Sequence, residues 1–170
     1  FEIESYTKFT FPVRNKKYES FLTKKIFQGA EIVQATSPET HDRIISVVLG
    51  LTHYMNLVFA NCISNFDYDE FKKYSGTTFK MQSIISESIF TDNSQLMVSL
   101  LFFNPLLLDE IRFFLQEANK IYNLISKDDK KEFIDLFGKI QSFFEKNNDP
   151  NISYKKLYDA MKIIDETNYD

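Results

Sequence analysis

Two kinds of hydrophobic pattern divide the chain near residue 36. Residues 6–13 alternate polar and apolar side chains and are rich in β-branched and aromatic types, which predicts a strand. Residues 14–28 have helical spacing, and residues 31–36 form a second strand-like segment. A strand, a helix and a strand in this order build a parallel sheet, and such a unit rarely stands alone. We therefore expect residues 1–36 to be the end of a larger α/β domain.

From residue 37 to 170 the pattern is helical, which predicts a second, all-helical domain. The clearest boundary is Ser37-Pro38-Glu39, because serine caps a helix, proline suits its first position, and an early acidic side chain favours the helix dipole. This helix should run to about Ser64 and be central, since its middle is apolar nearly all round. Asn104-Pro105 should end or kink a later helix. The other expected helices cover residues 68–73, 77–90, 94–103 (capped by Asp92 or Ser94), 106–125, 128–146 (capped by Ser126 or Asp128) and 153–166.

Composition narrows the class of protein. The chain has 170 residues, 44% of them hydrophobic, and a net charge of −4, so it can bury a core and has no basic field to hold nucleic acid. The single cysteine, Cys62, excludes an internal disulfide and favours a reducing compartment, which predicts a cytoplasmic protein. Polar residues interrupt the most apolar stretch, 44–60, so no membrane span is expected. Because Phe1 is not a natural start and no signal peptide follows, we expect a fragment of a longer protein.

The high phenylalanine content has two possible interpretations. The chain has 18 phenylalanines and no tryptophan, and phenylalanine pairs recur at residues 102–103, 113–114 and 143–144. Such bulky rings suggest a large packed interface. A phenylalanine-rich core is an equally good explanation.

The common catalytic and cofactor motifs are missing. The four glycines, at 29, 50, 76 and 138, lie too far apart for a dinucleotide fingerprint or a phosphate loop. There is no glycine-flanked serine nucleophile and no cysteine and histidine pair at metal-ligand spacing. The sequence therefore predicts no catalytic, cofactor-binding or metal-binding residue in this segment.

A polar stripe on the central helix is the first candidate site. On a regular helix one face would carry a set of mainly polar residues, namely Asp42, Ser46, Leu49, His53 and Asn56. Buried polar groups need partners, which can be protein groups or a ligand. A lone histidine in this position is more often a hydrogen-bonded core residue than a ligand contact. Asp42 lies about 16 Å along the helix from His53, so the two cannot form an acid–base dyad.

The second candidate is the run from Gly76 to Lys80. A glycine precedes two hydroxyls and a cation near a helix start, and such a group can hold a carboxylate. The alternative is an ordinary helix cap followed by a solvated lysine, and in isolation that alternative is the more frequent one.

These motifs together resemble the prephenate dehydrogenase family in its archaeal form. The resemblance rests on Ser37-Pro-Glu-Thr-His-Asp-Arg43, then Leu49-Gly-Leu-Thr-His53, and extends to about residue 125. It continues in Gly76-Thr-Thr-Phe-Lys80-Met-Gln, Ser94-Gln-Leu-Met and Asn104-Pro105.

The resemblance implies a two-domain enzyme that converts prephenate to 4-hydroxyphenylpyruvate with NAD or NADP in tyrosine biosynthesis, with arogenate as the alternative substrate. Its helical domain would form a homodimer and supply part of the substrate pocket, while the main catalytic histidine would belong to the nucleotide-binding half. His53 would contact substrate, with Lys80 and Ser46 as further substrate-binding residues. His41 and Asp42 would have interdomain or structural roles. The family resemblance leads us to expect an arginine in this region in many relatives, and lysine keeps the charge but loses the bidentate fork.

Two other functions remain open at this point. The chain could be a free-standing helical interaction or regulatory domain without catalytic activity. It could also be a degenerate relative that binds a metabolite without turnover.

Overall fold

The computed structural model describes residues 7–10, 17–18, 21, 25, 31–34 and 37–166. Strand β1 is Thr7–Thr10 and strand β2 is Glu31–Gln34, and they pair in parallel with Thr7 opposite Glu31. Two short strands therefore lie within the segments 6–13 and 31–36, and the β-α-β unit as a whole stays a prediction. The helix expected over residues 14–28 lies mostly outside the described residues.

The central helix begins where the capping signal predicted. Helix α1 is Pro38–Ile45, and the Ser37 hydroxyl accepts a hydrogen bond from the Thr40 amide at 3.2 Å. A hydrogen bond from Ser37 also lowers the pKa of the Glu39 carboxyl. The helix continues through a π-helical turn, Ser46–Leu51, into α2, Thr52–Ile63. The wider turn was not predicted, because a period of 3.6 residues assumes an unbroken α-helix.

The remaining described chain is helical almost throughout. Its helices are α3 Tyr68–Tyr74, α4 Thr77–Ser88, α5 Ser94–Phe102, α6 Leu107–Ser126, α7 Lys130–Asn147 and α8 Pro150–Glu166, with a 3-10 turn at Ile89–Thr91. The prediction of a mostly helical domain is thus confirmed. Helix α5 ends before Asn104-Pro105, as the proline signal required.

Three helix starts differ from the sequence prediction. Asn93 caps α5, accepting from the Leu96 amide at 2.8 Å, in place of Asp92 or Ser94. Asp129 caps α7, in place of Ser126 or Asp128. Helix α8 begins at Pro150 and not at Ser153, since proline is well suited to a first turn. Several neighbouring residues can cap a helix, and the local backbone decides which one does.

Packing inside the described chain centres on two contacts. The Phe79 ring of α4 lies 6.1 Å from that of Phe59 on α2 and 6.4 Å from that of Phe71 on α3, so three helices meet at one aromatic cluster. Leu107, at the start of α6, is fully buried and packs against Gly50 of the π-helical turn. These contacts hold the later helices around the central one.

Much apolar surface of the described helices is not covered. Helix α7 has no buried residue, although six large apolar side chains lie exposed along it: Phe133, Ile134, Phe137, Ile140, Phe143 and Phe144. The buried apolar side chains of the described residues are few, namely Ile89, Leu107, Leu124 and Met161. Because the core is this small, the phenylalanine-rich helix faces stay exposed and can pack against another protein domain or subunit.

The stretch Pro38–Ile63 is also long and apolar enough, by length and composition alone, to cross a membrane. The expectation that no segment has the required apolar length was therefore wrong, because a few polar residues do not offset the apolar character of 26. Core helices of soluble proteins pass the same test. Only 17% of its most apolar window is buried, so this helix contributes to the uncovered surface.

Candidate functional site

Ser46 lies at the start of the π-helical turn and is fully buried. Its hydroxyl donates to the carbonyl oxygen of Arg43 at 2.8 Å. The hydroxyl is therefore satisfied within its own helix, in the way that helical serines often bond back to the preceding turn.

His53 lies seven residues further along the central helix, in the first turn of α2, and is half-buried. Its Nδ1 lies 2.8 Å from the carbonyl oxygen of Leu49. A carbonyl oxygen only accepts, so Nδ1 donates this hydrogen bond, and in the tautomer protonated at Nδ1 the Nε2 atom is an acceptor. Among the described residues no hydrogen bond to Nε2 is present. The arrangement leaves His53 able to accept a hydrogen bond from a hydroxyl or amine of a small molecule.

Asn56 ends the polar stripe inside the protein and not at an open cleft. It is 6% exposed, and its Oδ1 accepts from Gln82 Nε2 of α4 at 2.9 Å and from the Ser86 hydroxyl at 3.4 Å. Gln82 Nε2 also lies 3.1 Å from the Ser86 oxygen. At Asn56 the hydrogen-bond partners of the polar stripe are therefore protein side chains, and these bonds join α2 to α4.

His41 and Asp42 lie at the other end of the stripe. Nδ1 of His41 donates to Oδ1 of Asp42 at 3.0 Å, and the Asp42 side chain is half exposed. The Asp42 carbonyl accepts from Asn104 Nδ2 at 2.8 Å, while Asn104 Oδ1 accepts from the Leu106 amide at 3.0 Å. Asn104 therefore fastens the loop before α6 to the first turns of the central helix. This contact of Asn104 was not predicted from the sequence, because its partner is 62 residues away.

Lys80 lies in a cavity of about 310 Å³ between α3, α4 and α8. Its ammonium is 3.7 Å from Oδ1 of Asp165 on α8. The cavity is also lined by Tyr68, Lys72, Ser83 and Glu87. Asp165 was not among the predicted site residues, since its contact joins positions 85 residues apart that no local pattern connects.

Tyr68 and Glu87 form the opposite side of this cavity. The Tyr68 hydroxyl donates to Oε1 of Glu87 in a short hydrogen bond. Burial, and after it this bond, raises the pKa of Tyr68, whereas the Ser83 hydroxyl lowers it to a smaller extent. The phenol therefore stays protonated at neutral pH and holds Glu87 at the cavity.

The two predicted substrate contacts have separate partners, and within the described residues His53 does not line the cavity around Lys80. The hydrogen bond of His53 goes to Leu49, and the ion pair of Lys80 goes to Asp165. No hydrogen bond or ion pair within the described residues connects His53 with Lys80.

The described glycines do not fit a dinucleotide. Gly50 is packed against Leu107 inside a helix, Gly138 lies within α7, and Gly76 precedes α4. None belongs to a glycine-rich turn between a strand and a helix, which is what a pyrophosphate requires. Within the described residues, no group of three or more metal-ligating side chains is present either.

Two comparisons with known proteins identify relatives. The model of the family described as "Prephenate dehydrogenase, dimerization domain" matches residues 37–139. A protein of Methanocaldococcus jannaschii named "Probable arogenate/prephenate dehydrogenase" is 26% identical over 132 residues, which is 76% of this chain and 28% of the relative. The match thus spans less than a third of the length of that relative.

Proposed function

The chain belongs to the prephenate dehydrogenase family, and from this premise we propose that it is the C-terminal part of an NAD(P)-dependent enzyme acting on prephenate or arogenate. With prephenate, the proposed reaction is oxidative decarboxylation to 4-hydroxyphenylpyruvate. The family match to a dimerization domain and the geometry of His53 support this function.

We assign the chain two tasks in that enzyme. One is a homodimer interface, which the uncovered apolar faces of α7 and of the central helix support. The other is one wall of the substrate pocket. The cofactor would be held elsewhere in the enzyme, with residues 1–36 as the end of that α/β domain; the parallel pairing of β1 with β2 agrees with such a sheet. We also propose a cytoplasmic location.

The proposed site residues have different amounts of support. His53 has the strongest, because its Nδ1 is fixed by Leu49 while Nε2 can accept from a substrate hydroxyl. Lys80 offers a cation to a substrate carboxylate in its cavity. Ser46 has the least support, since its hydroxyl is buried and already donates to Arg43. His41 and Asp42 are proposed as interdomain residues, because Asp42 is half exposed at the start of α1.

The test of this function is prephenate-dependent reduction of NAD or NADP by the full-length protein, with and without His53→Ala. One hydrogen bond to substrate is worth about tenfold in kcat/KM, so the variant should lose about tenfold or more for prephenate. Its KM for NAD(P) should change by less than about twofold, since the cofactor does not contact α2 in this proposal.

Asn61→Ala serves as the control, because Asn61 lies exposed on the same helix. It should leave both constants unchanged. Equal losses for prephenate and cofactor in His53→Ala would show that His53 is structural. No reduction of either nucleotide by the unaltered protein with prephenate or arogenate would overturn the proposed activity.

A further inference from the structure

The cavity around Lys80 carries charges of both signs. Lys72 and Lys80 supply two cations, and Glu87 and Asp165 supply two anions. Lys72 lies over the Tyr68 ring, 4.4 Å from its centroid, and the Tyr68 hydroxyl bonds to Glu87. A small cavity with positive and negative side chains is complementary to a ligand that carries a positive and a negative group.

The ion pair across the cavity is loose. Lys80 Nζ and Asp165 Oδ1 are 3.7 Å apart, whereas a charge-assisted hydrogen bond is about 2.7–2.9 Å long. Both side chains are more than one third exposed, so solvent screens their attraction. A ligand carboxylate on Lys80 and a ligand ammonium on Asp165 would replace one long contact by two short ones.

Ser83 adds an unmet hydrogen-bonding group. It is 4% exposed, and its hydroxyl has no hydrogen-bond partner within the described residues. Leaving such a hydroxyl unpaired costs free energy. A ligand oxygen in the cavity can accept a hydrogen bond from it. The carboxylate that Lys80 attracts is such an acceptor.

The rest of the lining is apolar except for Ser75, whose hydroxyl donates to the carbonyl oxygen of Lys72. Phe79 and Ile84 come from α4, and Met161 and Ile164 come from α8. The volume of about 310 Å³ lies at the small end of the range of about 300–1,000 Å³ for ligand sites. It suits a compact metabolite with one apolar side chain better than a nucleotide.

We propose that this cavity binds a zwitterionic α-amino acid with an apolar or ring-shaped side chain. Its carboxylate pairs with Lys80 and accepts from Ser83, and its ammonium lies between Glu87 and Asp165. The anionic partner Asp165 belongs to α8, which lies beyond the family match at residues 37–139. The inference rests on the proposed function through Lys80, and within that function it favours the amino acid arogenate over the keto acid prephenate.

The experiment compares L-phenylalanine with phenylpyruvate by calorimetry on the full chain. Both probes have a carboxylate and a phenyl ring, but only L-phenylalanine has an ammonium. L-Phenylalanine should bind with a Kd on the order of 1 mM, and phenylpyruvate at least about fivefold more weakly. Asp165→Asn and Glu87→Gln should each reduce this preference. Asp159→Asn, at an exposed position of α8, should retain it.

The outcomes separate this inference from the proposed function. Equal or tighter binding of phenylpyruvate, or a preference that survives both substitutions, would overturn the amino-acid class. Absence of saturable binding of either probe up to about 20 mM would overturn the cavity as a site for such ligands. Turnover of prephenate or arogenate by the full-length protein is measured without these probes, so the dehydrogenase proposal can stand when this one fails.

Discussion

At the scale of single residues, Gly50 allows close packing of α6 against the central helix because it has no side chain. A Cβ atom added at position 50 would lie 2.8 Å from Cδ1 of Leu107, closer than real contacts allow. Leu107 is fully buried, so its side chain has little room to move away. The absence of a side chain at Gly50 therefore lets α6 approach the central helix.

We expect Gly50→Ala to destabilise the chain. Alanine in a helix gains about 1 kcal/mol over glycine, but overpacking a filled core costs about 1–3 kcal/mol, so the net loss should be up to about 2 kcal/mol. Thermal and urea unfolding measure it. The matched change Gly138→Ala on α7 meets nothing within 4 Å, so the helix gain alone should raise the stability. If both variants gain stability, the contact with Leu107 is not tight.

At the scale of elements, the joint between α2 and α4 depends on a polar network. Asn56 is the common acceptor for Gln82 and Ser86, and both Asn56 and Ser86 are buried. Removing the acceptor leaves the buried Ser86 hydroxyl without its acceptor and takes from Gln82 Nε2 one of its two acceptors. A buried unpaired group costs about 1–3 kcal/mol.

Asn56→Ala should therefore lower the free energy of unfolding by about 2–4 kcal/mol, from the unpaired group and the space left behind. Asn61→Ala, on the exposed side of the same helix, should change it by less than about 0.5 kcal/mol. Chemical denaturation of both variants makes the comparison. A similar small effect for both would mean that Gln82 and Ser86 find other partners.

At the scale of the whole molecule, the described chain leaves its most apolar faces uncovered. The six exposed apolar residues of α7 are one example, and the central helix adds others. Large exposed apolar patches are typical of obligate interfaces. A second copy of the chain is the occupant that the proposed function requires.

The chain should run in detergent-free buffer as a particle with twice its mass of 20.1 kDa, as measured by light scattering. Phe137→Glu places a charge on the exposed face of α7 and should shift the equilibrium toward monomer. Ser142→Glu introduces the same charge at an exposed polar position of that helix and should not. A monomer at micromolar concentration for the unaltered chain would count against the dimerisation role.

Local signals in the sequence were enough to determine the helical class and most helix ends. Ser37-Pro38 starts the central helix and Asn104-Pro105 follows the end of α5, because capping and proline geometry act within a few residues. The family could also be recognised, since its motifs are short and occur in order, and the match to residues 37–139 confirms it.

Tertiary structure decided which polar residues meet. Asn56 with Gln82, Asn104 with Asp42, and Lys80 with Asp165 join positions 26, 62 and 85 residues apart, and hydrophobic periodicity carries no information about such distances. Ser46 and His53, in contrast, bond to carbonyl oxygens three and four residues earlier in their own helix. A sequence pattern assigns a residue to a face of a helix, but the packing of another helix against that face decides whether the residue is a structural partner or remains available to a ligand.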